Sequence, residues 1–283
     1  MPYLAELRVH PVKSFRPLLP STARVEPWGL ADDRRWMLVT GEGVGLTQRD
    51  EPLLGQFAAV PEPDGSLTVT APEGKEIRRI ARPEGQLDTE VQVFTSQPRF
   101  RVSAADAETN AWFSELLGRE VRLVHQPVPE ERPRPYTTSL ADGYPLLLVS
   151  TGSLAALNDL IAADHPGDPV KGAPVPLGRF RPNLVIADAE PWEETAWVRF
   201  RVGAVEFLGV KQCGRCVVTT LDPETSERRG PEPLRALGRH RRFGKDLAFG
   251  MNVTPLGPFD RPLAVGDEVE VLEAAPLPEP DHV

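Results

Sequence analysis

The pattern of apolar and polar positions along the chain predicts a mainly β protein of the α+β class with a few short helices. Short apolar runs rich in β-branched residues recur between turn signals, as is typical of strands. The predicted strands are residues 3–12, 24–26, 35–40, 66–71, 91–94, 121–124, 146–149, 184–186, 198–202, 205–210, 217–220 and 265–272. The 31 prolines and 23 glycines, spread along the chain, disfavour long helices.

Three segments depart from the strand pattern and predict helices. Residues 104–117 place large apolar side chains on one helical face, and Ser103 is a candidate N-cap. Residues 154–163 form a second periodic segment, entered through Ser-Thr-Gly-Ser. A third, short helix is expected near residues 234–237, because Pro233 is compatible with a helix start.

The distribution of proline indicates a chain of two parts. With 283 residues the chain can form one large domain or two modest ones. The proline-rich stretch 127–135 is the best candidate for a boundary or a mobile loop. We therefore expect a β-rich domain over residues 1–125, a second domain over residues 126–274, and a frayed tail over residues 275–283.

Composition and charge exclude several classes of protein. Lys and Arg number 32 against 41 Asp and Glu, and the net charge of −9 argues against a general nucleic-acid binder. No apolar run approaches the ~18 residues that suggest a membrane span. The first fifteen residues contain no apolar stretch long enough for a secretory signal, so we expect a cytoplasmic protein.

The two cysteines, Cys213 and Cys216, form a Cys-Gly-Arg-Cys motif that allows three interpretations. A thioredoxin-like dithiol normally begins a helix, whereas the β-branched run 217–220 places Cys216 at a strand entrance. A zinc site needs about four ligands, and the five histidines are scattered without ligand spacing. Two buried, inert cysteines, as is common for free cysteine, are the interpretation that the local pattern favours.

A series of motifs in a fixed order adds a resemblance to this local reasoning. The motifs are His-Pro-Val-Lys-Ser at 10–14, Asp-Arg-Arg-Trp at 33–36 with Leu-Thr-Gln-Arg at 46–49, Gly-Arg-Phe-Arg-Pro-Asn-Leu-Val-Ile at 178–186, and Cys-Gly-Arg-Cys-Val-Val-Thr-Thr-Leu-Asp-Pro-Glu-Thr at 213–225, followed by Phe-Gly-Met-Asn at 249–252 and Val-Gly-Asp at 265–267. Together they resemble the MOSC family, in particular its two-domain members similar to the mitochondrial amidoxime-reducing component and its bacterial relatives, over residues 3–272.

The resemblance implies a fold and a cofactor. The fold is an N-terminal β-rich domain followed by a C-terminal MOSC β-barrel with a few helices, and the two parts share the cofactor. The cofactor is the molybdenum cofactor (Mo-molybdopterin), with the metal held by the thiolate of Cys216, a soft anionic donor. The resemblance implies no use of pyridoxal phosphate. The other candidate cofactor-binding residues are Lys13, Ser14, Arg34, Ser150, Thr151, Arg181, Asn183 and Arg215.

Physical chemistry agrees with these assignments but leaves alternatives open. Arg and Lys side chains suit the phosphate of the cofactor. Ser150 and Thr151 precede a helix whose free N–H groups favour an anion, although they could serve only as a cap. Asn183 either binds the cofactor or stabilises the turn after Pro182. Cys213 is expected to support the loop rather than to act as a second ligand.

Two functions follow from the resemblance. The first is a molybdenum-dependent oxidoreductase that reduces small N-hydroxylated compounds by oxygen-atom transfer. The second is a non-redox carrier of sulfur, as a persulfide, or of the cofactor. Two cysteines cannot hold an iron–sulfur cluster, so the reductase needs electrons from a separate ferredoxin, flavodoxin or reductase-type protein. A basic segment is either a solvated loop or a dock for an acidic donor or an anionic substrate, and comprises Arg228, Arg229, Arg235, Arg239, Arg241, Arg242 and Lys245.

Overall fold

Strands dominate the computed structural model, which describes residues 1–84, 86–127, 129 and 136–281. Within that part of the chain the strands are β1 (Tyr3–Leu7), β2 (Thr22–Glu26), β3 (Gly29–Leu30), β4 (Trp36–Thr40), β5 (Ala58–Pro61), β6 (Leu67–Thr70), β7 (Ile77–Ile80), β8 (Thr89–Val91), β9 (Phe100–Ala104), β10 (Val121–His125), β11 (Leu146–Ser150), β12 (Leu184–Ala187), β13 (Trp197–Val202), β14 (Val205–Gly214), β15 (Arg242–Phe243), β16 (Asp246–Gly257), β17 (Pro262–Ala264) and β18 (Val269–Ala274). The mainly β, α+β class predicted from the sequence is confirmed.

Three α-helices accompany the strands in the described residues: α1 (Ala107–Leu117), α2 (Thr151–Asp164) and α3 (Leu234–His240). The prediction that Ser103 caps the first helix is wrong, because Ser103 lies inside β9 and its hydroxyl donates to Gln86 O. Asp106 is the cap, and its carboxylate accepts from Thr109 N at 2.7 Å. The other two predicted helices are present: α3 begins after Pro233, as the sequence predicts, whereas α2 begins after Ser150, three residues earlier than predicted.

The chain divides into two compact units. The larger unit comprises residues 1–8, 19–31 and 145–283, and the smaller unit comprises residues 9–18 and 32–144. The N-terminal segments belong to the larger unit because β1 pairs with β12 and β2 pairs with β17. Compact units need not coincide with sequence domains, so the division into residues 1–125, 126–274 and 275–283 stays a prediction.

The larger unit is built on one long, curled sheet. Its strand order is β1-β12-β11-β16-β14-β13-β18, with β15 paired to β16 outside this path. Tyr3 of β1 forms a bridge with Glu268, and Val269 N donates to Pro2 O at 2.9 Å, so the first and last strands of this order are linked. Strands β17, β2 and β3 form a second, small sheet. Helices α2 and α3 pack with β11 and β16 around the buried Phe180 and Phe249.

The smaller unit contains two sheets and α1. The sheets have the orders β4-β10-β9-β8 and β5-β6-β7. Its core is aromatic, and the rings of Phe15 and Phe57 stack with centroids 5.0 Å apart while Phe113 of α1 packs against both. These rings anchor the segment 9–18, which carries Lys13 and Ser14, to the rest of this unit.

Two sequence-based expectations concern irregular segments. The stretch 127–135, interpreted as a boundary or a mobile loop, lies almost entirely outside the described residues. The tail has no regular secondary structure over residues 275–281, but it is not simply frayed. Asp281 N donates to Arg242 O at 2.8 Å, and the Asp281 carboxylate accepts from Gly244 N at 2.7 Å. These bonds fix the tail to β15.

Candidate cofactor site

Cys216 lies at the start of a single 3₁₀ turn, Val217–Thr220. The prediction that residues 217–220 form a strand, with Cys216 at its entrance, is wrong. The reason is local: the hydroxyls of Thr219 and Thr220 donate to the carbonyls of Cys216 and Val217, at 2.9 and 2.7 Å. These side-chain bonds stabilise a tight turn despite the β-branched run. Cys216 is half-buried and lies in a fixed backbone.

Arg215, the residue before Cys216, is held by three hydrogen bonds within the larger unit. Its N–H donates to Leu247 O at 2.7 Å, Nη2 donates to Phe180 O at 2.7 Å, and Nη1 donates to Cys213 Sγ at 2.9 Å. The guanidinium also lies 5.5 Å from the centroid of the Phe180 ring. The Nε atom is buried and has no hydrogen-bond partner among the described residues. Arg215 therefore connects the cysteine loop with the segment that ends at Phe180.

Arg181 follows a second 3₁₀ turn, Leu177–Phe180, and has a left-handed backbone with φ 54°. Ser14 and Arg34, in the smaller unit, also have positive φ, at 74° and 50°. Such conformations are costly for residues with a side chain, and they concentrate at functional sites. Three candidate cofactor-binding residues thus share a backbone feature that their sequence motifs do not reveal.

Asn183 is 1% exposed, and its side chain has structural partners at both ends. Its Oδ1 accepts from Leu147 N at 3.2 Å, while Nδ2 donates to Arg8 O at 3.0 Å. These bonds connect the residue after β1 with β11, inside the larger unit. The geometry accounts for Asn183 as a structural residue, and its contact with a cofactor stays a prediction.

The N-terminus of α2 is occupied by a carboxyl group of the protein itself. The Glu194 carboxylate, which is 0% exposed, accepts from Ser150 Oγ at 3.0 Å and from Ser153 Oγ at 2.7 Å. Burial raises the pKa of Glu194 above its ordinary value, although these hydrogen bonds act in the opposite direction. Ser150 is the helix cap, and Thr151 is an exposed first residue of α2. A cofactor contact of Ser150 or Thr151 stays a prediction, and the Glu194 carboxyl group already accepts hydrogen bonds at this end of the helix.

The smaller unit brings together cations that are distant in sequence. Lys13 Nζ donates to Leu140 O at 3.0 Å and forms an ion pair with Asp142. Arg49 Nη2 lies 3.6 Å from Asp142 Oδ2, and Arg34 forms an ion pair with the buried Asp33. Surrounding protein atoms raise the pKa of Asp142, but Lys13, Arg49 and Arg34 together hold it well below its ordinary value. We call these five residues the cationic cluster.

Sequence reasoning identified Lys13 and Arg34 in the cationic cluster but missed its other members. Arg49 was visible within a family motif, yet nothing local indicated that it faces the same carboxylate as Lys13. Asp142 lies 129 residues from Lys13 along the chain, and only folding brings the two side chains together. Asp33 fixes this segment, because its carboxylate accepts from His10 N at 2.7 Å.

The predicted basic dock includes a residue that cannot face a partner. Arg241 is 6% exposed, and its guanidinium lies 4.3 Å from the centroid of the Trp192 ring. Burial lowers the pKa of Arg241, and the nearby Glu194 carboxylate partly offsets this effect. Arg239 pairs with Asp164 at 3.2 Å and Arg229 pairs with Asp222 at 3.3 Å. A docking surface in this segment would therefore consist of its exposed arginines and would not include Arg241.

Membrane-spanning helices and clusters of metal-ligating side chains are two further features that bear on function. No helix in the described part of the chain is both long enough and apolar enough to cross a membrane. Across the same residues, no group of three or more His, Cys, Asp or Glu side chains is arranged to hold a metal ion.

Comparison with known proteins gives two family-model matches. The MOSC N-terminal beta barrel domain matches residues 1–120, and the MOSC domain matches residues 135–270. Mitochondrial amidoxime-reducing component 1 of Mus musculus is 30% identical over 294 residues, which is 95% of this chain and 82% of the relative. Molybdenum cofactor sulfurase of Oryza sativa subsp. japonica is 29% identical over 264 residues, or 88% of this chain and 32% of the relative. The chain thus spans about a third of that sulfurase.

Among solved structures, the YUAD protein from Bacillus subtilis is 10% identical over 95% of this chain and 94% of that chain, with a TM-score of 0.39. The assignment to a family rests on the sequence matches instead.

Proposed function

Because the chain belongs to the MOSC family, we propose that it binds the molybdenum cofactor through Cys216 and reduces N-hydroxylated compounds. When bound, the cofactor would supply the chemistry of oxygen-atom transfer, which reduces the substrate by two electrons. The observation that carries the proposal is the state of the cysteine loop. Cys216 begins a fixed 3₁₀ turn, directly after Arg215, whose buried Nε has no hydrogen-bond partner among the described residues.

The donor set fits this cofactor in kind. A thiolate is the soft, anionic ligand that suits molybdenum, and Cys216 would provide it. The fixed carbonyl of Cys216, which accepts from Thr219 N at 3.0 Å and from Thr219 Oγ1, restricts the directions in which the sulfur can point. The unpartnered N–H of Arg215 Nε offers a donor for an acceptor atom of the cofactor.

The cationic cluster fits the phosphate of the cofactor. Three cations, Lys13, Arg34 and Arg49, face two carboxylates, so the cluster keeps a net positive charge. Lys supplies a compact charge and Arg a planar fork of donors, and both bind phosphate well. Arg181 would contribute a further cation from the larger unit.

The roles of the remaining residues follow from their contacts. Asn183 holds β11 to the segment after β1, and Ser150 with Glu194 fixes the start of α2. These residues would orient the cofactor-binding segments. They would not act as proton donors or acceptors during turnover. A cytoplasmic location and a separate electron donor remain parts of the proposal that rest on sequence reasoning.

A second function is favoured by one specific observation. The chain aligns with about a third of a molybdenum cofactor sulfurase at the same level of identity as with amidoxime-reducing components. Cys216 could then carry a persulfide or transfer the cofactor, and Cys213 is a second cysteine three positions away. In that case the cofactor would be released and no steady reduction of substrate would occur.

The decisive experiment uses protein made in a host that synthesises the molybdenum cofactor. Molybdenum per chain is measured, and then reduction of a hydroxylamine and an amidoxime is followed with reduced viologen as donor. The reductase predicts about one molybdenum per chain and steady turnover that ends when the donor is exhausted. Molybdenum that dissociates on gel filtration without any turnover would contradict the reductase and support the carrier.

A further inference from the structure

Arg215 forms hydrogen bonds both within the cysteine loop, residues 213–216, and to the Phe180–Arg181 segment. Its Nη2 donates to Phe180 O, which belongs to the peptide unit that Phe180 shares with Arg181. Arg181 N donates to Gly178 O at 3.2 Å, and the left-handed φ of 54° at Arg181 turns the chain sharply. Fixing the Phe180 carbonyl therefore fixes the backbone from which the Arg181 side chain extends.

The same guanidinium holds the cysteine loop from the other side. Nη1 donates to Cys213 Sγ at 2.9 Å, close for a sulfur acceptor, and Cys213 packs against the apolar core of the larger unit. The backbone N–H of Arg215 is fixed to Leu247 O on β16. Cys216 is the next residue, so the chain enters it from a residue that three hydrogen bonds hold in place.

From these contacts we infer that Arg215 is a positioning residue that holds the Cys216 sulfur and the Arg181 side chain in one fixed relation. A planar guanidinium with several donors can bond a carbonyl and a sulfur at once, which a lysine ammonium on its flexible stem cannot match. The inference rests on the proposed function for its purpose, because Cys216 and Arg181 need a fixed spacing only if one ligand bridges them. The contacts exist without any ligand.

The same contacts give Cys213 a defined task. Its sulfur is the acceptor that directs Nη1, while the Phe180 carbonyl directs Nη2. A serine at position 213 would keep an acceptor there, whereas an alanine would leave Nη1 without one. The two substitutions are therefore a matched pair that changes the Arg215 contact with little change in side-chain volume.

The test begins with cofactor-free protein, so that its result does not depend on the proposed function. Amide hydrogen exchange is compared among wild type, Arg215→Lys and Arg215→Gln, with Arg199→Lys as a control on the exposed face of β13. Losing a charged hydrogen bond should open residues 177–183 and 213–216 about tenfold more often in both Arg215 variants. Exchange in β13 and β18 should stay unchanged. Unchanged exchange in both segments would overturn the inference.

The cofactor-loaded protein supplies a second readout. The sulfur-to-molybdenum charge-transfer absorption should shift in Arg215→Lys and stay at its wild-type position in Arg199→Lys. A loss of molybdenum from Arg215→Lys with wild-type exchange in the cofactor-free protein would show that Arg215 acts only by contacting the cofactor, and would also overturn the inference. Absence of molybdenum from the wild-type protein would instead count against the proposed function.

The two Cys213 variants test the same contact even if Arg215→Gln fails to fold. Cys213→Ala should accelerate exchange at residues 177–183, whereas Cys213→Ser should restore the wild-type rate. Equal exchange rates in Cys213→Ala, Cys213→Ser and wild type would contradict the inference, because the Arg215–Cys213 contact would then hold nothing in place.

Discussion

The Asp142 carboxylate forms an ion pair with Lys13, 129 residues earlier in the chain, and thereby contributes negative charge to the cationic cluster. Its second oxygen lies 3.6 Å from Arg49 Nη2. The Asp142 side chain is 56% exposed, whereas that of Lys13 is 6% exposed. A carboxylate that covers a buried cation competes with any other anion that approaches it.

Removing this carboxylate should therefore improve anion binding. We expect Asp142→Asn to bind inorganic phosphate about three- to tenfold more tightly than wild type, because a nearby negative charge is lost where solvent screening is incomplete. Titration calorimetry at low salt measures the change. Asp64→Asn is the matched control, since Asp64 pairs with an exposed arginine elsewhere in the smaller unit. Weaker phosphate binding in Asp142→Asn would mean that Asp142 organises the cluster rather than competing within it.

Glu194 predicts a specific dependence of stability on pH. Burial raises its pKa in the folded protein above the ordinary value of 4.5. The stabilising contribution of such a group is fully present below its unfolded pKa and is lost as pH rises through its folded pKa. The free energy of unfolding of wild type should therefore fall relative to Glu194→Gln as pH is raised above about 4.5.

Chemical denaturation over a series of pH values checks this prediction. Glu190→Gln is the control, because Glu190 is an exposed carboxylate four residues earlier. Its stability curve should run parallel to that of wild type. A Glu194→Gln curve that also runs parallel to wild type would show that Glu194 titrates normally in the folded protein.

Arg241 and Arg239 should differ sharply in their effect on stability. Arg241→Ala removes a buried cation from beside Glu194 and from the face of Trp192, and should cost about 3 kcal/mol. Arg239→Ala removes an ion pair with Asp164 in which the arginine is 45% exposed, and should cost less than about 1 kcal/mol. Urea denaturation measures both values. Equally small losses of unfolding free energy in both variants would show that Arg241 contributes no more than an exposed arginine.

The exposed arginines of the basic segment predict salt-dependent docking of an acidic electron donor. Arg228→Glu combined with Arg235→Glu should slow donor-driven turnover at low salt, and the difference from wild type should vanish as ionic strength rises. Viologen-driven turnover should stay unchanged, because a small donor needs no dock. Arg119→Glu, on the exposed surface of the smaller unit, is the control. Equal donor-driven rates in the double variant and wild type would exclude this segment as the dock.

The sequence predicted best what depends on short-range chemistry. The start of α2 after Ser150 followed from one cap, and the class of fold followed from apolar runs between turns. The turn after Cys216 was misassigned because strand propensity was weighed without the bonds that the Thr219 and Thr220 hydroxyls make to nearby carbonyls. The long strand β16 was missed because Gly250 and Pro255 interrupt its apolar pattern.

Contacts between distant segments lay beyond the sequence. Glu194 reaches Ser153 across 41 residues, and no local pattern distinguishes it from the other acidic residues that precede β13. The same holds for Asp142 with Lys13, and for the bond from Arg215 to Phe180. The family motifs include both Arg215 and Phe180 but not the bond between them, because a motif records residue types and only the folded backbone sets distances.

The measurement that tests the central claim most directly is X-ray absorption at the molybdenum edge for wild type, Cys216→Ser and Cys213→Ser. Binding through Cys216 predicts one sulfur neighbour fewer around molybdenum in Cys216→Ser than in wild type, and an unchanged sulfur shell in Cys213→Ser. A sulfur shell that is unchanged in Cys216→Ser, or one that is reduced only in Cys213→Ser, would contradict the assignment of Cys216 as the metal ligand.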